Sequence, residues 1–413
     1  MTLAAIAPKT IFRPLQLVLA LMFLCLATGC GLFIKPEITN MNSLKRMPVA
    51  KYPSFEDSGD MTDLIAGIDG SLEYLSRIPG QREFYFSQDR YTAEHLKNSL
   101  QVFRKQVAAN PTVDDLNRFI RENYLLYRSV GSDGRGSMLF TGYYEPAIKG
   151  SLAKSPAYPY PVYASPKDLT TIDLSLFGDE FKGKKITGRY TGSTVVPYYE
   201  RSEIDHTGIM DDQSDILAWV SDPIDLFFLQ IQGSGKIMLE SGDHINVHYH
   251  TVNGHPYRSI GKLLIDEEKI AREEMSMQKI RSYLNEHPEE VERVLNYNPS
   301  YVFFKLEEDG PIGYIQVKLT PVRSVALDRK IFPPAALGYM ETQKPELDRF
   351  GVIYAWRDLR AFVLNQDTGG AIKGPGRADL FWGNGHYAEV AAGHMQHPGT
   401  LYFLVLKPGN VGD

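Results

Sequence analysis

The chain has 413 residues, 43% of them apolar and 23% charged, and a formal net charge of −6. That balance supports packed cores and excludes extended disorder, and the absence of a basic excess argues against nucleic acid as a partner. The length exceeds one ordinary hydrophobic core, so two domains are expected.

Residues 1–29 read as a secretion signal. Lys9 and Arg13 supply positive charge, and the apolar run from Leu15 to Ala27 is shorter than the roughly 20 residues a membrane span needs. The run ends in LATGC, which resembles a bacterial lipobox, so cleavage before Cys30 would leave that sulfur to carry lipid and attach the protein to a membrane. The alternative is an ordinary cleaved signal with an incidental cysteine. Cys25 lies inside the removed part, so no disulfide framework remains within the mature chain. Gly31 stands where an Asp would retain a sorted lipoprotein in the inner membrane, so the lipobox resemblance implies the periplasmic face of an outer membrane.

Residues 30–60 are polar, with Pro36, Pro48 and Pro53, and read as a tether. Three helices follow from apolar stripes at Leu64, Ile65, Ile68, Leu72 and Leu75, at Leu96, Leu100, Phe103 and Val107, and at Leu116, Phe119, Ile120 and Tyr124. Thr112 with Asp115 reads as a capping pair for the third. Beyond Leu139 the pattern changes to short β-type runs, among them LFTGYY, DLFFLQIQ, NVHYHTV, IGYIQVKL, SVALDRKIF and LYFLVL. Their spacing favours barrels over a layered βαβ sheet. Between Ser259 and Leu295 the runs LLIDEEKIAREEM and EEVERVL interrupt the strands as helices.

Familiar chemistries are missing. GSGK at Gly233 lacks the remainder of a phosphate loop, and there is no GxSxG elbow and no CxxC pair. His248 and His250 share a strand face without a second ligand cluster, so no metal site and no cofactor are expected. The richest segment is Gln366 to Met395, where Asp367 and Asp379 lie in a bed of glycines with Lys373 and Arg377 between them and Trp382 just after. Such a density of turns and charge suggests acids presented to a cleft.

This run, together with FTGYYEP (Phe140 to Pro146), DPIDLFFLQIQGSG (Asp222 to Gly235) and NGHPYRSIGK (Asn253 to Lys262), closely resembles the membrane-bound lytic murein transglycosylase A family. The resemblance implies a mainly β protein with N-terminal helices. A double-psi β-barrel domain would be built from both chain ends (61–146 and 309–413), with a second β-barrel domain inserted between them (147–308) and a groove where they meet. It further implies cleavage of peptidoglycan glycan strands, with 1,6-anhydromuropeptides formed by a single acid/base, Asp379. A peptidoglycan synthesis complex is a further partner that the resemblance leaves open.

Thr141 would then bond to substrate or to Asp379, and Asp367 would help to raise the acid's pKa. Lys373 and Arg377 would point away from Asp379 or contact the glycan. Glycans have apolar faces and polar edges, so Tyr143, Tyr144, Trp219 and Trp382 are expected as aromatic planks. Gln230 and Gln232 would share a face of a DLFFLQIQ strand with Leu226 and Phe228, leaving Phe227, Leu229 and Ile231 to the core. Asp328, in SVALDRKIF, is a further acidic groove candidate. Two rivals stand beside this reading: a hydrolase using both Asp379 and Asp367, and a scaffold that binds glycan without cleaving it.

Overall fold

Side-chain caps start the helices that the apolar spacing predicts. In the computed structural model, which describes residues 38–409, Asp60 accepts the Thr62 N–H at the start of α1 (Met61–Arg77). A hairpin of β2 (Glu83–Phe86) and β3 (Asp89–Thr92) leads into α2 (Ala93–Ala108), capped by Thr92. The Thr112 hydroxyl caps α3 (Val113–Asn123) by accepting the Asp115 N–H. Each satisfies one orphan donor of a first turn. Of the predicted stripes, Leu64, Ile68, Leu100, Phe103 and Ile120 are buried in one core, and Ile65, Leu72 and Phe119 are partly buried against it. The signal segment and Cys30 lie outside the described residues.

The polar stretch expected to be a tether is docked from Ile38 onward. β1 (Leu44–Arg46) pairs antiparallel with β4 (Tyr124–Ser129), and Leu44, Tyr52 and Phe55 are buried in the core that the helices share. Its few apolar residues fill barrel sites that local composition cannot reveal.

β5 (Met138–Glu145) ends at Pro146, where the chain crosses into the strands β6 (Ala147–Ser151) and β7 (Tyr160–Tyr163). A small three-stranded sheet follows, made of β8 (Leu169–Asp173), β9 (Lys185–Tyr190) and β10 (Val195–Pro197). After α4 (Arg201–His206) and β11 (Ile216–Val220) comes the largest departure from expectation. DLFFLQIQ is not a strand but helix α5 (Pro223–Gln232). Asp222 accepts the Ile224 N–H at 2.8 Å, Pro223 opens the first turn, and Gly233 closes it at φ 82°. Those flanking residues decide a short apolar run whose periodicity is ambiguous.

α5 is largely apolar because it is packed on two sides. Leu226 and Leu229 join Ile148, Val162, Ile237 and Phe304 in one core. Ile224, Phe227 and Phe228 pack instead on α6 (Ile260–Asp266), α7 (Met277–Glu286) and α8 (Val291–Asn296). Within LLIDEEKIAREEM the helix thus stops at Asp266, and Glu268 takes φ 57°. β12 (Ser234–Leu239), β13 (His244–Val252) and β14 (Val302–Glu307) complete a six-stranded sheet ordered β14-β13-β12-β6-β11-β7. Its ends meet where Ala164, just past β7, bridges Phe304.

The returning chain supplies β15 (Ser324–Ala326), β16 (Leu337–Leu347), β17 (Ile353–Asp367), β18 (Arg377–Asn384), α9 (His386–His394) and β19 (Gln396–Leu406). IGYIQVKL forms only a single Ile312–Lys318 bridge, and SVALDRKIF contributes three strand residues. The larger sheet runs β1-β4-β19-β16-β17-β15-β18-β5, and β5 pairs back on β19, so six strands close into a barrel. β15 with β17 and β18 with β5 are parallel, the other pairs antiparallel. The result is a barrel of both chain ends with an inserted β-barrel, the mainly β fold with N-terminal helices that the motifs imply.

Candidate active site

Closure of the barrel aligns residues that are far apart in sequence. Asp367 of β17 lies in register with Ala326 of β15, Ala326 with Asp379 of β18, Asp379 with Thr141 of β5, and Thr141 with Gln396 of β19. Lateral neighbours on adjacent strands project from the same face. Along β18, Ala378 and Leu380 are buried in the core while Arg377 and Asp379 are half-buried on the opposite side. Thr141 and Gln396 line a cleft of about 490 Å³, whose far wall includes Phe228, Gln232, Tyr257, Ile260 and Met277. The cleft therefore runs between the barrel and the helices of the inserted region.

The Thr141 hydroxyl donates to Asp379 Oδ1 at 2.7 Å. Burial pushes the Asp379 carboxyl above the usual carboxylate range, while the Thr141 bond and the charge of Arg377 pull it down. Asp367 is also raised, to about 6, chiefly by burial. Its Oδ2 accepts the Tyr143 hydroxyl at 2.8 Å and its Oδ1 the Tyr314 N–H at 3.0 Å, which lower it again, and the charge of Asp379 adds a smaller upward push. Burial, one of the two causes expected from sequence, raises Asp379; the help expected from Asp367 is not among the influences on it.

Arg377 does not point away. Its Nη2 lies 3.5 Å from the Thr141 hydroxyl and its Nη1 3.4 Å from the Ala371 carbonyl. Lys373 is exposed in the loop between β17 and β18. Asp328 is 6% exposed and is no groove acid in this arrangement; its carboxylate accepts the N–H groups of Gly374 (2.8 Å) and Lys330 (3.1 Å), so it pins the loop that carries Lys373.

The aromatic expectations divide. Tyr143 is half-buried and reaches the site through Asp367, with its ring against Phe381. Tyr144 is 5% exposed and contributes its backbone N–H, which Gln232 Oε1 accepts at 3.1 Å. That bond ties α5 to β5 and keeps Gln232 on the cleft wall. Gln230 is buried on Arg201 and faces away. Trp219 sits on β11 under Lys154 and lies outside the cleft lining.

Trp382 is also 5% exposed, inside the barrel core. The register of β18 on β5 shifts between Phe381 and Asn384, which breaks the alternation and turns the indole inward. Gly142 accommodates it: a Cβ there would lie 2.5 Å from Trp382 Nε1 and 2.9 Å from the Ala392 Cα. Gly142→Ala should therefore lower stability by about 1–3 kcal/mol through overpacking. An unchanged urea midpoint would show that the indole has room to move.

Gln396 went unnoticed in the sequence because only β5–β19 pairing brings it beside Thr141, and no local signal marks it. The backbone N–H of Tyr314 was equally hidden. Among the described residues, no group of three His, Cys, Asp or Glu side chains converges in metal-binding geometry.

Residues 139–305 match the family described as MltA specific insert domain, and residues 323–405 match the 3D domain. The chain is 36% identical over 286 residues to membrane-bound lytic murein transglycosylase A of Escherichia coli (strain K12), covering 68% of this chain and 70% of that protein. It is 32% identical over 280 residues to the protein of the same name from Vibrio cholerae serotype O1, covering 67% and 68%. Among solved structures, the membrane-bound lytic murein transglycosylase from Agrobacterium tumefaciens superposes with TM-score 0.71 at 27% identity, covering 88% of this chain and 98% of that one. E. coli MltA with bound chitohexaose gives 0.67 at 28% identity, covering 91% and 97%. The insert, the closed barrel and the extent of these matches agree, and the chain belongs to the membrane-bound lytic murein transglycosylase A family.

Proposed function

We propose that the chain is a peptidoglycan lytic transglycosylase in which Asp379 is the single acid/base. The observation that carries this reading is the 2.7 Å bond to a half-buried, upshifted Asp379 from Thr141, which lines the cleft. The Thr141 proton is directed at Oδ1, so the proton that Asp379 delivers sits on Oδ2. In its acid form Asp379 protonates the oxygen between N-acetylmuramic acid and N-acetylglucosamine as the C1–O bond breaks. The carboxylate so formed then takes the proton of the muramoyl 6-hydroxyl as that oxygen closes on C1. The nucleophile is already attached to the sugar, so no water is activated.

Asp367 does not fit the second carboxylate of a hydrolase. Both its oxygens are engaged, by Tyr143 and by Tyr314, which leaves it poorly placed to activate water. Its role in this reading is to hold Tyr143 and the loop of Tyr314 at the cleft. Gln232, Lys373 and Gln396 are the further glycan contacts in this reading, and Asp328 serves through the loop it holds. Cys30 would carry the lipid and place the enzyme on the periplasmic face of an outer membrane, within reach of the wall and of the complexes that build it. Membrane association accords with the names of the relatives.

The test is mass analysis of muropeptides released from purified peptidoglycan. Products lighter by one water than reducing-end muropeptides support the reading; reducing-end products would make the enzyme a hydrolase. A second measurement bears on Thr141. Its bond favours the charged carboxylate, so Thr141→Val should raise the pKa of Asp379 further. The acid must be protonated to act, and the alkaline limb of the rate profile should therefore move to higher pH, with a loss at the optimum of about tenfold. A limb that stays in place would sever Thr141 from the acid.

A further inference from the structure

Arg377 and Asp379 are two residues apart on one strand, so their side chains leave β18 on the same face about 7 Å apart. The guanidinium is half-buried there, and its partners are a carbonyl at 3.4 Å and a hydroxyl at 3.5 Å, both neutral and both long. Its Nε is buried and has no partner. Three other buried or half-buried arginines face a carboxylate, Arg201 with Asp205, Arg281 with Asp225 and Arg323 with Asp57, while half-buried Arg189, whose Nε also lacks a partner, lies over the Tyr199 ring. A desolvated cation without an anion is costly, and five donors in a planar fork suit a carboxylate.

The anion that Arg377 influences most directly is Asp379, whose carboxyl it pulls down. In the reading above, Asp379 must be neutral when it acts, so at the moment of reaction Arg377 has no counter-charge. Its Nη2 lies 3.5 Å from the hydroxyl of Thr141, which lines the cleft, and its field reaches the Tyr257 hydroxyl on the opposite wall. Lys262 and Arg272 line that cleft as well.

We propose that Arg377 receives a carboxylate of the substrate's muramoyl side chain, and that it selects carboxylate-bearing glycan over neutral glycan of the same length. The proposal rests on the lytic transglycosylase reading for the identity of the glycan. Each muramoyl unit carries a lactyl group at C3, ionised where the peptide has been removed and amide-linked where a stem is present. The stem brings carboxylates of its own. N-acetylglucosamine units have neither, so a single fork at this position distinguishes the two sugars by charge.

The experiment measures equilibrium binding by the full-length Asp379→Asn protein, with and without Arg377→Gln, in which Asn mimics the neutral acid. The probes are glycan strands stripped of peptide, the same strands with their carboxyls methyl-esterified, stem-bearing strands, and chitohexaose. Arg377→Gln should weaken binding of stripped strands by about 10- to 100-fold, the range of a charge-assisted contact, and leave esterified strands and chitohexaose within about twofold. Arg377→Lys should restore part of the loss and increase its salt dependence. A loss confined to stem-bearing strands would assign the carboxylate to the peptide. Equal losses on all four probes, or none, would overturn the proposal. Binding is read without turnover, so the result stands apart from whether Asp379 proves to be the acid.

Discussion

Asp379→Asn should reduce release of anhydromuropeptides by about 10²–10⁴-fold in kcat or more, with the fold and glycan binding intact. The amide has nearly the same shape and can still accept the Thr141 hydroxyl at the oxygen that now accepts it at 2.7 Å. It has no proton to give at the pH of the reaction, and once the C1–O bond weakens it cannot take one from the 6-hydroxyl. Both halves of the reaction fail together. The surroundings argue that this is the acid: burial raises its pKa, which keeps a larger protonated fraction near neutral pH than an exposed aspartate would have. Thr141 and Arg377 limit the rise, so the group can also leave as a carboxylate and return as a base. A variant that keeps half or more of the wild-type rate would remove Asp379 from the chemistry. If neither the wild type nor the variant released product while both bound glycan, the scaffold reading would stand instead.

The second large effect is on stability, at a pair outside the cleft lining. Asp57→Ala should lower the free energy of unfolding by about 3–5 kcal/mol in urea titration. Arg323 is 1% and Asp57 0% exposed by side chain, and they meet in two bonds of 2.7 and 2.9 Å. The remaining valences are filled: the Asp57 carboxylate also accepts the Phe362 and Gly59 N–H groups, and Arg323 donates to the carbonyls of Phe362 and Asp60. Removing the carboxylate leaves a guanidinium buried without an anion and frees the segment before α1. Replacing both partners by apolar residues, Asp57→Leu with Arg323→Met, should cost less than the single change because no charge is stranded. A loss below about 1 kcal/mol for Asp57→Ala would mean that water reaches Arg323 freely.

The contrast between these two sites shows what can be read from residues in order. Helices α1 to α3 were legible because apolar stripes are local, as was the Thr112 cap of the third, whereas the caps Asp60 and Thr92 were seen only in the structure. The motifs around Thr141 and Asp379 were legible because they are long and uncommon, and by resemblance they led to the family. DLFFLQIQ was misread because a buried helix and a buried strand share an apolar run, and the decision lay in Asp222, Pro223 and Gly233. Trp382 and Tyr144 were misjudged because a side chain's face depends on strand register, and a shift on β18 turned the indole into the core.

The sequence by itself determined the composition of the site, the caps that start its helices and the membership of a family, since each depends on residues near one another along the chain. Only the tertiary structure decided which of those residues meet. Asp367, Ala326, Asp379, Thr141 and Gln396 form one row because five strands pair in a particular register around a closed barrel. Register is a non-local choice, fixed by which side chains fill the shared core, and no segment read alone contains it.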